Sequence, residues 1–98
     1  MLGVKKETAP RLFQLSQSYP QPFNPSATIK FSVEKMELAQ LVVCDILGRE
    51  VARLFDGTAE PGRYYTCSFN AAKYGSGMYI YRLQTDSRVA VRKSTFIR

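Results

Sequence analysis

The residues that could do chemistry in this chain are two cysteines, Cys44 and Cys67, and a few carboxylates; histidine is absent. Without histidine the chain lacks the commonest general base at neutral pH and the commonest metal ligand. The two thiols are far apart in sequence with no second ligand beside either, so a metal site is not predicted. The carboxylates in or beside predicted turns are expected to bond local backbone; they are Asp45, Asp56, Glu60 and Asp86. We therefore predict a protein that is not an enzyme and holds no cofactor or metal.

A disulfide between the two cysteines is an alternative that the strand pattern argues against. Cys67 alternates with Tyr65 and Phe69, on a face that we take as buried. Cys44 alternates with Gln40, on a face that we take as exposed. A bridge across the core of a two-sheet domain would need both side chains to point inward. We expect one buried thiol and one surface thiol.

Tyrosines and basic residues raise the possibility of sugar or nucleic-acid binding. Tyr79 and Tyr81 share one face of a predicted strand, where packing into the core is favoured over an exposed, sugar-binding row. The formal charge is +6, but the lysines and arginines are scattered, which is typical of a solvated surface and does not predict nucleic-acid binding. The apolar run at 41–44 is far shorter than the ~20 residues of a membrane span.

The elements that would position these residues are short strands separated by turn signals. Ile29, Phe31 and Val33 alternate with polar residues, which is the period of a half-buried strand. The prolines at 19–25 exclude a helix there and leave Tyr19 and Phe23 as anchors. A hairpin turn is predicted at 45–49 and loops at 56–57, 61–62, 70–77 and 85–87. The predicted strands are 12–15, 27–33, 39–46, 49–55, 63–69, 78–84 and 88–98.

The close spacing of these strands indicates the fold class. Residues 1–11 carry no periodic pattern and are predicted to be a linker, and residues 12–98 suit a single domain. About seven short strands without a helix predict an all-β protein, an immunoglobulin-like antiparallel β-sandwich. A small closed barrel is the alternative. The oligomeric state stays open, because an unpaired edge strand could also pair with a second copy.

Four segments of the chain together resemble a known family. They are YPQPFNPS at 19–26, DILGREV at 45–51, SGMYIYRL at 76–83 and RKSTFIR at 92–98. In this order they closely resemble the C-terminal sorting domain of the type IX (Por) secretion system, an immunoglobulin-like domain related to a module of the flagellar hook-cap protein. The resemblance runs from Leu12 to Arg98. Gln21, Cys44 and Glu34 depart from the family's usual residues.

The resemblance implies a secretion and sorting signal at the C-terminal end of a larger exported bacterial protein. The implied partners are the outer-membrane export machinery and an upstream cargo domain of the same polypeptide, which would travel through the periplasm to the surface or the medium. An immunoglobulin-like spacer and a carbohydrate-binding module are the alternatives. An edge strand could be read by strand addition, and basic residues could add charge complementarity. The residues expected to take part are Gly48, Arg49, Gly77, Tyr79, Arg82, Arg92, Lys93, Phe96, Ile97 and Arg98.

Overall fold

Alternating apolar side chains form seven strands in the computed structural model, which describes residues 11–97. No helix occurs among these residues, and so none that could cross a membrane. The linker predicted over 1–11 lies outside the described residues except for Arg11, and Arg98 also lies outside them. The strands are β1 (Gln14–Leu15), β2 (Ser26–Ser32), β3 (Glu37–Cys44), β4 (Glu50–Ala59), β5 (Tyr65–Asn70), β6 (Gly77–Thr85) and β7 (Val89–Phe96).

The strands form two antiparallel sheets with the orders β1-β2-β5 and β4-β3-β6-β7. No ladder joins the two sheets within the described part of the chain, so the predicted sandwich is confirmed and the closed barrel is wrong. Pairing of β4 with β3, instead of with β5, gives three strands facing four, a variant of the immunoglobulin-like arrangement. In this arrangement β7 lies at an edge of the four-stranded sheet.

The core lies between the sheets and follows the predicted alternation. Ile29, Phe31 and Val33 are buried, as predicted. Tyr79 and Tyr81 are also buried, which confirms that they pack in the core and do not form an exposed row. Burying a large apolar side chain contributes roughly 1.5–3 kcal/mol relative to leaving it exposed, so this aromatic-rich core is the main source of stability.

Two predictions about the four-stranded sheet are wrong. Asp56 and Gly57 lie inside β4, opposite Gln40 and Ala39 of β3, and not in a loop. Cys44, expected at the surface, is only 5% exposed. β3 is a central strand, and Cys44 lies between Glu50 of β4 and Ile80 of β6. Long side chains on flanking strands cover apolar surface with their stems.

Cys67, predicted to be the buried thiol, is only partly buried, and both cysteines are free thiols. The Sγ atom of Cys67 lies 3.8 Å from the carbonyl oxygen of Leu54, where β5 comes close to β4. Burial raises the pKa of the Cys67 thiol above its usual value. Since the thiolate is the reactive form, this thiol is poorly suited to chemistry.

The proline-rich segment is extended and irregular, with cis peptide bonds before Pro20, Pro22 and Pro25. Of its two predicted anchors, Phe23 is fully buried, whereas the Tyr19 residue is 48% exposed. The backbone of Tyr19 pairs with Thr28 of β2, which leaves its ring toward solvent. One aromatic residue therefore fastens this segment to the core.

Candidate functional site

The outer edge of β7, the last strand, is partly covered by the segment 17–25. The backbone N–H of Phe23 donates to the carbonyl of Thr95 at 3.0 Å, and the N–H of Ile97 donates to the carbonyl of Phe23 at 3.1 Å. The side chain of Gln21 accepts from the N–H of Thr95 at 3.2 Å, and that of Gln17 donates to the carbonyl of Lys93 at 2.7 Å. We call the segment 17–25 the edge clamp, because it occupies the outward hydrogen-bonding groups of β7 from the carbonyl of Lys93 onward.

Side chains beneath the edge clamp hold it in place. The rings of Phe23 and Phe96 stack with their centroids 5.2 Å apart. The buried hydroxyl of Ser18 donates to that of Ser94 at 2.8 Å. The Oη of Tyr81 is buried beside these two hydroxyls. Burial raises the pKa of the Tyr81 phenol, and the Ser94 and Ser18 hydroxyls beside it act in the opposite direction.

Several residues that the resemblance places in recognition are part of the fold. Phe96 is a core residue, and Tyr79 is buried with its hydroxyl donating to the carbonyl of Gly75 at 2.6 Å. The Nε of Arg92 donates to the carbonyl of Leu15 at 2.8 Å and so ties β7 to β1. Ile97 leaves its side chain exposed while its backbone is bound to the edge clamp.

Arg82 and Lys93 lie on the outer face of β6 and β7, away from the core. Arg82 is directly opposite Val91, and Lys93 is opposite Ile80. Both basic residues are exposed, and neither forms a salt bridge with a described residue. The pKa of Glu50 is lowered chiefly by its hydrogen bond to Arg53, and Arg82 adds a smaller charge effect. The outer face of this edge is therefore positively charged.

The hairpin turn between β3 and β4 holds Gly48 and Arg49 in a rigid arrangement. The Oδ1 of Asp45 accepts from the N–H groups of Leu47 and Arg49, and its Oδ2 accepts from the Nε of Arg49 at 2.9 Å. Gly48 has a φ of 84°, which favours glycine. The predicted role of Asp45 as a turn residue is therefore confirmed.

A shallow cavity of about 370 Å³ lies beside this turn and brings together Arg49, Gly77 and Tyr79. Exposed apolar side chains stand on its rim, two from the turn and two from the region of β6; they are Ile46, Leu47, Tyr74 and Met78. Gly77 also pairs with Phe96, so the cavity adjoins the end of β7. Arg82, Arg92 and Lys93 lie farther along the β6–β7 ladder and do not reach it.

The edge clamp is the part of the site that the sequence analysis missed. Phe23 was recognised as an anchor, but nothing in the local pattern indicated that it anchors to β7. The contacts join residues 76 positions apart, such as Ser18 and Ser94. The sequence feature that could have indicated these contacts is the polar side chains beside the prolines, Gln17, Ser18 and Gln21. They supply hydrogen bonds where proline has no N–H.

The tyrosines and carboxylates form neither a sugar platform nor a metal centre in the described part of the chain. Tyr19, Tyr64 and Tyr74 are exposed, but Tyr64 and Tyr74 flank opposite ends of β5 and Tyr19 lies in the edge clamp, so they do not make a row along one strand. No group of three cysteine, aspartate or glutamate side chains within 11–97 could hold a metal ion.

A family model described as a secretion system C-terminal sorting domain matches residues 17–97, most of the chain. The match includes the edge clamp, the hairpin turn and the β6–β7 ladder. The chain belongs to this family, as the four motifs predicted: it is a sorting signal for type IX export, which directs a cargo polypeptide to the cell surface or the medium. No curated protein matches the chain. The relation to the flagellar hook-cap protein stays a prediction.

Proposed function

We propose that the outer-membrane part of the type IX machinery reads this domain on the outer face of β6 and β7, through Arg82 and Lys93. In this proposal the domain has no enzymatic activity and does not bind nucleic acid. It guides an upstream cargo domain of the same polypeptide through the periplasm and across the outer membrane. The observation that carries the proposal is a pair of exposed cations on an edge ladder, neither of which forms a salt bridge with any residue of 11–97.

Charge on a flat sheet face suits a transient sorting contact. Complementary charges speed the encounter of two proteins and select the partner more than they add affinity. The carboxylate whose charge Arg82 influences, Glu50, is already paired: Arg53 bridges Glu50 and Asp56 at 3.0 and 3.3 Å. We therefore expect the surface of the machinery that contacts Arg82 and Lys93 to be acidic, and we expect salt to weaken the contact.

The absence of enzymatic activity is supported by the state of the carboxylates. Asp45 is held by the backbone and side chain of Arg49, which lower its pKa, and Arg53 lowers that of Glu50. Such groups stay ionised near neutral pH and are poor proton donors. Their contacts stabilise a turn and a strand instead of facing a deep cleft.

The test is an export assay with charge reversals on exposed side chains. The 98-residue chain is fused to the C-terminus of a fluorescent reporter in a host with type IX secretion. We expect Lys93→Glu, and separately Arg82→Glu, to reduce the exported reporter by about tenfold, because each reverses a contact charge. Lys35→Glu, an exposed lysine in the connection between β2 and β3, is the matched control and should be exported normally.

Folding of each variant is verified by the thermal midpoint of the purified domain. If folded Lys93→Glu and Arg82→Glu reach the surface as efficiently as the control, the outer face of β6 and β7 is not the surface that the machinery reads. If the control is also retained, export depends on net charge and not on this face, and the proposal again fails.

A further inference from the structure

The first half of β7 keeps an open hydrogen-bonding edge. Thr95 and Ile97 turn backbone groups toward the edge clamp, and outward groups recur every second residue of an antiparallel edge strand. The N–H and C=O groups of Val89 and Val91 therefore also point outward. No described residue bonds them, and these residues are 57% and 51% exposed.

The other three sheet edges are blunted in ways that natural sheets use to avoid strand addition. β1 has two residues only. β4 has irregular register at two places and carries an exposed ion-pair cluster built on Arg53. β5 lies close to β4 through the contact of Cys67 with Leu54. Short strands, bulges and surface charges discourage pairing at β1 and β4. At β5 the facing sheet approaches the edge, so the Val89–Val91 stretch is the edge that stays open among the described residues.

The charges around this open stretch select its occupant. Arg82 lies opposite Val91, and Arg92 and Lys93 follow it in the chain. Arg88 precedes it, although this side chain is paired with Glu34 at 3.2 Å. A second copy of the domain would bring the same cations against these, and like charges facing each other oppose association. An extended segment with acidic side chains would meet complementary charge.

We propose that an acidic, extended segment of the export machinery adds to the Val89–Val91 edge of β7 as an additional strand. This inference rests on the proposed function, since it names the mode by which the same β6–β7 surface is read. Backbone hydrogen bonds to Val89 and Val91 supply the affinity, and contacts of acidic side chains with Arg82 and Lys93 supply the selectivity. The edge clamp limits the added strand to this stretch, because it already occupies the outward groups from the carbonyl of Lys93 onward.

The probe is a short synthetic peptide in which valine alternates with glutamate, with a valine–lysine peptide of the same length as its control. Backbone amide exchange is followed by NMR on the full chain. We expect the glutamate peptide to slow exchange at Val89 and Val91 by about tenfold, since an added strand would bond both amides. The lysine peptide should leave their exchange unchanged, and added salt should weaken the effect.

Val91→Pro removes one outward N–H, a change that edge strands tolerate, and Val91→Thr is the matched variant that keeps it. We expect Val91→Pro to abolish protection by the peptide and to reduce export of the fused reporter, and Val91→Thr to preserve both. If Val91→Pro unfolds, Val89→Pro takes its place.

Two results would overturn the inference. In the first, the glutamate peptide slows amide exchange in β4, or slows it at no residue. In the second, sedimentation shows a dimer whose formation slows exchange at Val89 and Val91 without peptide. The proposed function is judged separately, by Lys93→Glu and Arg82→Glu. If these variants lose export but the glutamate peptide does not bind at β7, the proposal that the outer face of β6 and β7 is read still stands. Strand addition is then rejected.

Discussion

Asp45 shows how one carboxylate organises a motif of the family. Its two oxygens accept three hydrogen bonds within the turn, two from backbone N–H groups and one from the Arg49 side chain. The turn then presents Ile46 and Leu47, both exposed, at the rim of the cavity beside Gly77. Arg49 is therefore first a partner of Asp45, and whatever it contributes to recognition depends on that contact.

Replacing Asp45 by alanine should lower the thermal midpoint of the domain. The midpoint should also fall less steeply as the pH is lowered. The backbone N–H of Arg49 is the largest cause that holds the pKa of Asp45 below its usual value of 3.8. A lowered pKa contributes stability that is present above about pH 4 and lost as the pH falls through the native-state pKa. Melting curves from about pH 7 to about pH 3 measure the difference.

Asp86→Ala is the control for this change, because Asp86 lies in the turn between β6 and β7 and, contrary to the prediction from sequence, has no hydrogen bond to a described residue. An equal loss of midpoint in both variants, or an unchanged acid dependence in Asp45→Ala, would contradict the role given to Asp45.

At the scale of elements, the edge clamp and β7 form one unit. β7 has a neighbour on only one side within its sheet, and the clamp replaces a second strand over its last residues. Proline provides no N–H for a ladder, so glutamine side chains and the backbone of Phe23 supply the bonds. This arrangement protects the end of β7 and leaves only its beginning open.

Phe23→Ala should destabilise the domain by about 3–5 kcal/mol, the usual cost of removing a buried phenylalanine. Phe23 is fully buried and contacts the rings of Phe69, Tyr79 and Phe96. Urea denaturation measures the loss, and amide exchange at Thr95 and Ile97 should accelerate before exchange elsewhere.

Tyr19→Ala is the matched control, an aromatic residue of the same segment whose ring is exposed. Equal destabilisation by the two changes, or acceleration of exchange throughout the domain with no early loss at Thr95, would show that the segment does not act as a separate clamp.

At the scale of the whole molecule, the first and last parts of the described chain depend on each other. The clamp reaches β7 across the fold, and Arg92 binds the carbonyl of Leu15 in β1. The two sheets therefore meet along this side through the edge clamp, while β4 and β5 approach each other on the opposite side. Damage to the end of the chain should consequently affect the fold as well as the sorting signal.

Deleting residues 95–98 should cost at least about 3 kcal/mol of the free energy of unfolding, because it removes the buried Phe96 from the core. It also removes the backbone partners of Phe23 and Gln21. A domain of this size has roughly 5–15 kcal/mol in total, so the loss is a large fraction. The measurement is urea denaturation of the truncated and full-length chains.

Ile97→Ala is the control for the deletion, since its side chain is exposed and its backbone N–H is retained. An unchanged midpoint of urea denaturation after the deletion would mean that residues 95–98 do not contribute to the stability of the fold. If the deletion lowers the free energy of unfolding as expected, a failure to export the truncated chain would not separate recognition from folding. Point variants therefore test the outer face of β6 and β7.

Local features of the sequence predicted much of this protein. Alternation identified β2 and the inward side of β6, because side chains of a strand point to opposite faces in a period of two. The hairpin at 45–49 was predicted from Gly48, whose positive φ is a local requirement. Four motifs together indicated the sorting-domain family, which the family match confirmed.

The tertiary structure alone decided the roles of residues whose contacts are distant in sequence. Alternation does not state which strand lies at an edge or is covered on both faces, so the burial of Cys44 and the strand character of Asp56 were missed. The same holds for the contacts of Phe23 with β7 and of Arg92 with Leu15, and for the open edge at Val91. Strand order is set by pairing between distant segments, and a short pattern carries information only about its own neighbours.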